Sequence, residues 1–126
     1  WGFNFYGQTG RGSPATYVTT PTGIGVDTDW AGVAMGVNAG CATRTSNALW
    51  CWGISRRGLQ ASGTTATLTA PALVTTPMPL RTPDFGFDHA CSISVSNGRL
   101  VCWGENSDGQ LGDGTGFEAV PLQVAP

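Results

Sequence analysis

Apolar residues in this chain come in short runs rather than at helical period. "TSNALWCWG" (45–53), "PALV" (71–74) and "CSISVSNGRLVCWG" (91–104) are rich in Val, Leu, Ile, Trp and Ser, and Gly, Pro or Asn punctuate them. That pattern predicts strands separated by turns. "SNG" at 96–98 predicts a hairpin turn between "CSISV" and "RLVCWG", and "TSN" at 45–47 predicts its counterpart. No stretch combines helical period with a cap. The nearest, "WAGVAMGVNAGCA" (30–42), carries glycines that favour an inner strand packed closely against its neighbours. The expected fold class is all-β.

The runs repeat. Trp-Gly occurs at Trp1, Trp52 and Trp103, at intervals of 51 residues, and opens "WGFNFYGQTGRG", "WGISRRGLQASG" and "WGENSDGQLGDG". Gly7, Gly58 and Gly109 fall in register, as do Gly12, Gly63 and Gly114. Each segment leads to a Pro and an apolar patch: "PTGIGV", "PALV" and "PLQV". The chain therefore divides into units 1–51 and 52–102 and a partial unit 103–126, about two and a half copies of one module. Trp1, Trp52 and Trp103 recur at this period, which marks them as residues packing module on module.

Composition narrows the function. Charged residues make up 11% of the chain, every basic residue is Arg, and the formal net charge is −2. With no basic stripe, nucleic acid is not an expected partner. No apolar run reaches the ~18 residues of a membrane span. The chain begins at Trp1, not Met, so it is read as a processed or partial chain and its compartment is not argued from a leader.

Four cysteines flank the two predicted hairpins. Pairing Cys41 with Cys51 sets 42 opposite 50 and 43 opposite 49, and pairing Cys91 with Cys102 leaves the turn at Ser96 and Asn97. Both registers bring the thiols within disulfide reach on antiparallel strands. Reduced buried thiols are the alternative; zinc would want close pairs such as C-x₂-C, which the chain lacks. Disulfides imply an oxidising compartment, hence an extracellular or cell-surface protein.

The residues "GRLVCWGENSDGQLGDGT…VPLQV", with "GFDHACS" before them, resemble the regulator of chromosome condensation repeat. The resemblance spans the chain. It is strongest at Trp103, Gly104, Asn106, Gly109, Gln110, Leu111, Gly112 and Gly114, and weakest in the second unit, where Ser55, Leu59 and Ala61 replace the pattern's Asn, Gln and Gly. It implies a β-propeller with four-stranded antiparallel blades, seven in the usual ring, of which this chain supplies about two and a half. It also implies that His89 is a structural hydrogen-bonder inside a blade; the first unit has Ala39 there. The flanking Cys pairs resemble the bacterial or extracellular branch. Activities in the family range from guanine-nucleotide exchange to β-lactamase inhibition, ultraviolet sensing and ubiquitin ligation, and no residue for any of them carries over.

Other chemistry fails on the residues. A calcium loop with Gly109 in sixth place would need carboxylates at Gly104 and Thr115. "GRGSPA" (10–15) matches a phosphate fingerprint only formally, being interrupted by Pro14 and followed by no helix. Cys91 and His89 could be read as nucleophile and base, but Cys91 has a better partner in Cys102. No catalytic residue, metal or cofactor is expected. Trp50, next to Cys51, points away from the disulfide face; it is a candidate interface anchor, or else a wedge between blades. The loop pairs Phe5-Tyr6, Arg56-Arg57 and Ser107-Asp108 occupy one position of the repeat, where a propeller varies its binding surface. "VTTP" at 18–21 and 74–77 fits O-linked sugars as well as it fits coil. The expected function is a non-enzymatic, extracellular scaffold for a protein partner, the alternative a subunit of a surface appendage or filament joined through repeat edges. Two and a half units close no ring, so the chain is expected to be part of a longer protein or to pair edge to edge with copies of itself.

Overall fold

In the computed structural model, residues 1–13, 15–116 and 118–124 are described. Ten strands follow in chain order: β1 (Gly2–Phe3), β2 (Tyr17–Val18), β3 (Trp30–Met35), β4 (Ala39–Arg44), β5 (Leu49–Gly53), β6 (Leu68–Leu73), β7 (Asp84–Phe85), β8 (His89–Ile93), β9 (Leu100–Gly104) and β10 (Glu118–Gln123). A single 3₁₀ turn, Arg56–Gly58, interrupts the loop after β5. The strands form two four-stranded sheets, β3-β4-β5-β6 and β7-β8-β9-β10, and one hairpin, β1-β2, all antiparallel. That is two propeller blades and half of another. The blades straddle the sequence units, since each takes its first two strands from one unit and its last from the next.

The stretch 30–42 is not one inner strand. It is two strands, β3 and β4, turned at Gly36–Asn38, where the Gly36 amide donates to the Ala39 carbonyl at 2.8 Å. Gly36 is used because a Cβ there would stand 3.0 Å from the Phe85 ring of the next blade. Pro14, within the 10–15 segment, lies outside the described residues, as do Phe117 and the last two residues of unit 103–126.

The Trp-Gly pair has a specific backbone task. Gly104 sits at φ +104°, and a Cβ would lie 2.6 Å from the Asp88 carbonyl oxygen and 2.8 Å from the Cα of His89. Only glycine allows this conformation against the neighbouring strand. It lets the Glu105 amide reach the same Asp88 carbonyl at 2.8 Å, as Ile54 reaches Asn38 at 3.0 Å. Gly2 has the same φ, +112°, yet nothing lies within 4 Å of it. Among the described residues β1 pairs with β2 alone.

The hairpin registers predicted from the cysteines are the ones observed. Cys41 opposes Cys51 and Cys91 opposes Cys102, with Ala42 facing Trp50 and Ser92 facing Val101. Both pairs are disulfide-bonded, with Cα atoms 4.1 Å apart. Alternation puts Leu49 and Cys51 on one face of blade 1, and Trp50 and Trp52 on the other. The core lies between the blades: Ala39, Cys41, Leu49 and Cys51 of blade 1 pack against Ala90, Val101 and Trp103 of blade 2.

Candidate protein-interaction surface

The loop after each Trp-Gly is built on one frame. Gly7, Gly58 and Gly109 have φ of +76°, +76° and +74°. Gly12, Gly63 and Gly114 follow at +66°, +71° and +73°. Inside the first and third loops an Asn side chain replaces missing backbone partners. The Asn4 carboxamide accepts from the Thr9 amide at 3.0 Å and donates to the Ala15 carbonyl at 2.8 Å. Asn106 repeats this with the Leu111 amide at 2.8 Å and the Thr115 carbonyl. Gln8 and Gln110 each accept from the amide two residues before, Tyr6 at 2.9 Å and Asp108 at 3.0 Å.

The second loop reaches the same shape with other residues. Ser55 keeps one of the Asn bonds, its hydroxyl donating to the Thr64 carbonyl at 2.7 Å. Gln60, shifted by one from the pattern, donates to the Gly53 carbonyl. Ala61 adopts φ +56°, where Gly10 and Gly112 stand in the sister loops. A left-handed alanine is strained, and surrounding packing holds it: Ala61 is buried.

The varied side chains then take different places on this common frame. Phe5, Arg56 and Ser107 are exposed at equivalent positions. Tyr6 is half-buried, its ring edge-to-face with Phe5 at 5.0 Å. Arg57 is not a free loop tip, because its guanidinium pairs with the Glu105 carboxylate of the next unit. Glu105 is buried and also accepts from the Asn106 and Ser107 amides at 3.1 and 2.7 Å, so it anchors the following loop. In that loop Asp113 accepts from the Thr115 amide and hydroxyl and from Asn106, which lowers its pKa below the ordinary 3.8.

Trp50 is half-buried and packed rather than free. Its ring meets Trp30 edge-to-face at 6.1 Å, and the Arg44 guanidinium lies 4.5 Å from the Trp50 centroid and 4.7 Å from that of Trp30. Asp27 and Asp29 hold Arg44 at 2.6 and 3.1 Å. Trp30, Arg44 and Trp50 lie on neighbouring strands β3, β4 and β5, so the cluster belongs to one blade. The cluster borders a cavity of about 280 Å³, next to a larger one of about 700 Å³ lined by Ile24, Val26, Val33, Ala42, Trp52 and Pro71.

The three periodic tryptophans do not share one environment. Trp52 and Trp103 are buried, but Trp1 is 75% exposed. The Trp52 and Trp103 indoles each bond to the unit before them. Phe3, Phe5 and Tyr17 form an exposed aromatic cluster, with Phe3 and Phe5 stacked at 6.3 Å and Tyr17 edge-on to Phe3 at 5.4 Å. His89 packs rather than bridges: its imidazole lies where a Cβ on Gly86 would be, and no hydrogen bond from the ring occurs among the described residues. Among those residues no three His, Cys, Asp or Glu gather as metal ligands, and no helix is long and apolar enough to cross a membrane.

This architecture is similar to that of known proteins. The family model of the regulator of chromosome condensation (RCC1) repeat matches residues 84–110. Human WBSCR16 superposes with a TM-score of 0.84 at 27% identity, over 99% of this chain and 32% of its own. Prp20p from Saccharomyces cerevisiae gives a TM-score of 0.86 at 18% identity, over 100% and 33%. Yeast RCC1 (Prp20) in its complex with Kap60 gives 0.88 at 17%, over 100% and 32%. The chain thus spans about a third of the length of these structures. Residues 84–110 thus match a regulator of chromosome condensation repeat, and the chain is similar along its whole length to propellers built from such repeats.

Proposed function

We propose that the chain is a non-enzymatic part of an extracellular β-propeller that holds a protein partner on its loops. The observation that carries this is the constancy of the loop frame under changing side chains: matched φ angles at Gly7, Gly58 and Gly109 present Phe5, Arg56 and Ser107 outward in turn. A rigid scaffold with varied loop residues is how propellers vary recognition. Phe5 with Tyr6, and Arg56 with Arg57, are the contact candidates, the second of each pair also serving the blade junction. Trp50 contributes through its packed cluster at the cavity mouth. The relatives support the class of partner, since Prp20p binds Gsp1p and histones and yeast RCC1 binds Kap60. The two disulfides support an oxidising compartment, where the exposed Thr19, Thr20 and Thr75 are the acceptors for any O-linked sugar.

Photo-crosslinking residues placed at Phe5, Arg56 and Ser107 of the native protein test the reading, with Ser46 and Ser96 on the hairpin turns as controls. One protein adduct shared by the three loop positions and absent from the controls is expected. Adducts confined to the controls, or none anywhere, would refute loop-borne binding. Alkylation before reduction tests the compartment, and modified cysteines in freshly isolated protein would refute it. The alternative, a filament subunit joined through repeat edges, requires indefinite self-association of the native protein.

A further inference from the structure

The two hairpin turns at the far end of the blades from the Trp-Gly loops are built differently. In blade 1 the Arg44 amide donates to the Ala48 carbonyl at 3.0 Å and the Asn47 amide to the Arg44 carbonyl at 2.8 Å. Asn47 itself takes the left-handed position, at φ +63°. Blade 2 uses one residue more. The Ser94 amide donates to the Arg99 carbonyl at 2.8 Å and the Gly98 amide to the Ser94 carbonyl at 3.0 Å. Gly98 takes the left-handed position, at φ +71°, which leaves Asn97 directly before it. This is the one Asn-Gly pair in the sequence.

A backbone amide can attack the carboxamide of the residue before it, and glycine has no Cβ to shield its nitrogen. The surroundings of Asn97 favour that attack. Residues 95–99 are exposed, and so are Thr45 and Ser46 in blade 1, which stands between the β1–β2 hairpin and blade 2. Exposure therefore belongs to the turn itself. The Asn97 side-chain oxygen accepts from the Arg99 amide at 3.1 Å, a donor placed where negative charge gathers as Cγ becomes tetrahedral. The Gly98 bond to Ser94 opposes attack, but it opens with the turn alone, beyond the Ile93–Leu100 pair and the Cys91–Cys102 bridge. The other asparagines lack these features. Asn4 and Asn106 are buried and their amides donate to carbonyls, while Asn38 and Asn47 precede alanine. Asp108 and Asp113 precede glycine, but an ionised carboxylate resists attack at neutral pH.

We propose that Asn97 is a site of spontaneous covalent modification in the folded protein, converting through a succinimide to aspartate and isoaspartate. The Gly98 nitrogen bonds to Cγ of Asn97, the Cγ–Nδ2 bond breaks, and ammonia leaves with the proton that Gly98 gives up through solvent. Water then opens the ring. Addition at Cγ yields aspartate; addition at the backbone carbonyl leaves the main chain running through Cγ, as isoaspartate. Either product adds one negative charge to a chain of formal net charge −2. The isoaspartate also lengthens the turn, while the disulfide keeps Cys91 opposite Cys102. The change lies at the end of β8 and β9 away from Gly104, so it is independent of any loop-borne partner.

Timed incubation of the native protein, disulfides intact, in neutral to mildly alkaline buffer tests it, with peptide mapping by mass spectrometry at each Asn. Conversion is expected at Asn97, with Asn38 and Asn47 unchanged, and its rate should rise in proportion to hydroxide. Urea below the unfolding transition should leave that rate unaltered. Gly98→Ala should slow the reaction about tenfold, equivalent to about 1.4 kcal/mol of barrier. Asn97→Gln, which keeps Gly98 and an exposed carboxamide, should abolish conversion at that position without disturbing the turn. The proposal is overturned if Asn97 stays intact in the folded protein while the reduced, unfolded chain converts. It is also overturned if the rate climbs with urea in step with unfolding, which would assign the reaction to the unfolded chain.

Discussion

Trp-to-Phe substitution at the three repeat positions separates a periodic residue from a periodic function. Trp103 is fully buried, and its indole N–H is the partner of the Leu59 carbonyl at 3.0 Å. Trp103→Phe removes the donor and leaves that carbonyl buried and unsatisfied, which costs about 1–3 kcal/mol. It also removes part of the buried ring system from the contact with Leu49 and the Cys41–Cys51 bridge. At about 0.8 kcal/mol per buried CH₂-sized group, that loss adds roughly 1–2 kcal/mol. The sum is about 3 kcal/mol, a large share of the ~5–15 kcal/mol of a whole domain.

Urea unfolding followed by far-ultraviolet circular dichroism reads the change as a shifted midpoint at constant slope. Trp52→Phe breaks the same bond but loosens only the β1–β2 hairpin, so its effect should be local. It is expected as faster hydrogen exchange at Gly10 and Gly12, whose amides bond to Gly7 and Thr69. Trp1→Phe touches an exposed ring and should change stability by less than about 0.5 kcal/mol. The reasoning is wrong if Trp103→Phe shifts stability by less than about 1 kcal/mol. It is equally wrong if Trp1→Phe in this chain costs as much as Trp103→Phe.

Three further outcomes follow from the geometry. Gly104→Ala places a Cβ 2.6 Å from the Asp88 oxygen at φ +104° and should destabilise by at least about 3 kcal/mol in thermal or urea unfolding, whereas Gly98→Ala, with nothing within 4 Å, should cost only the left-handed strain of about 1 kcal/mol. Asp113 has a lowered folded pKa, so its contribution to stability is present above its unfolded value and lost as pH falls through the folded one; a carboxyl carbon titration by NMR should find its midpoint below 3.8, and Asp113→Asn should flatten the acid limb of the stability profile. Each disulfide closes a loop with a sequence separation of 10 or 11, worth about 2.8 kcal/mol in the chain-entropy account. Graded dithiothreitol with mass mapping should reduce Cys91–Cys102 first, since Cys91 is half-buried while Cys41 and Cys51 are fully buried.

The hairpin registers and both disulfides were legible because they depend on local pattern: a period of two, a turn residue, and a Cys on either side. The Trp-Gly repeat was legible as periodicity, although the reason for its glycine was not. That reason is the Asp88–His89 backbone alongside Gly104, brought there by pairing of β8 with β9. Contacts between units were the least readable. Nothing local marks Arg57 as the partner of Glu105, and nothing local separates the exposed Trp1 from the buried Trp52 and Trp103. Splitting 30–42 into two strands also escaped the sequence, because the Gly36 turn is explained by Phe85 of the next blade. One signal was available. Comparing the units position by position sets Tyr6 over Ile54 and Arg57 over Glu105, which isolates the junction pair before any contact is known.

The half-unit offset between sequence repeat and blade has an energetic consequence. Each unit spends its first half completing one blade and its second half starting the next, so every junction is crossed by the backbone as well as by a Trp indole. In a nearest-neighbour array, stability is a sum of unit and junction terms. The 1|2 blade junction holds the largest buried cluster, with Leu49, Trp103 and the Cys41–Cys51 bridge. The β1–β2 hairpin has only four residues in strand and is held mainly by Gln8, Gly7 and Gly12 against Trp52 and Thr69. Opening should therefore begin at residues 1–18 and stop at the 1|2 junction. The same gradient separates loops from strand edges: the loops' turn geometry is fixed by internal Asn and Gln bonds, while the edges depend on whatever lies beside them.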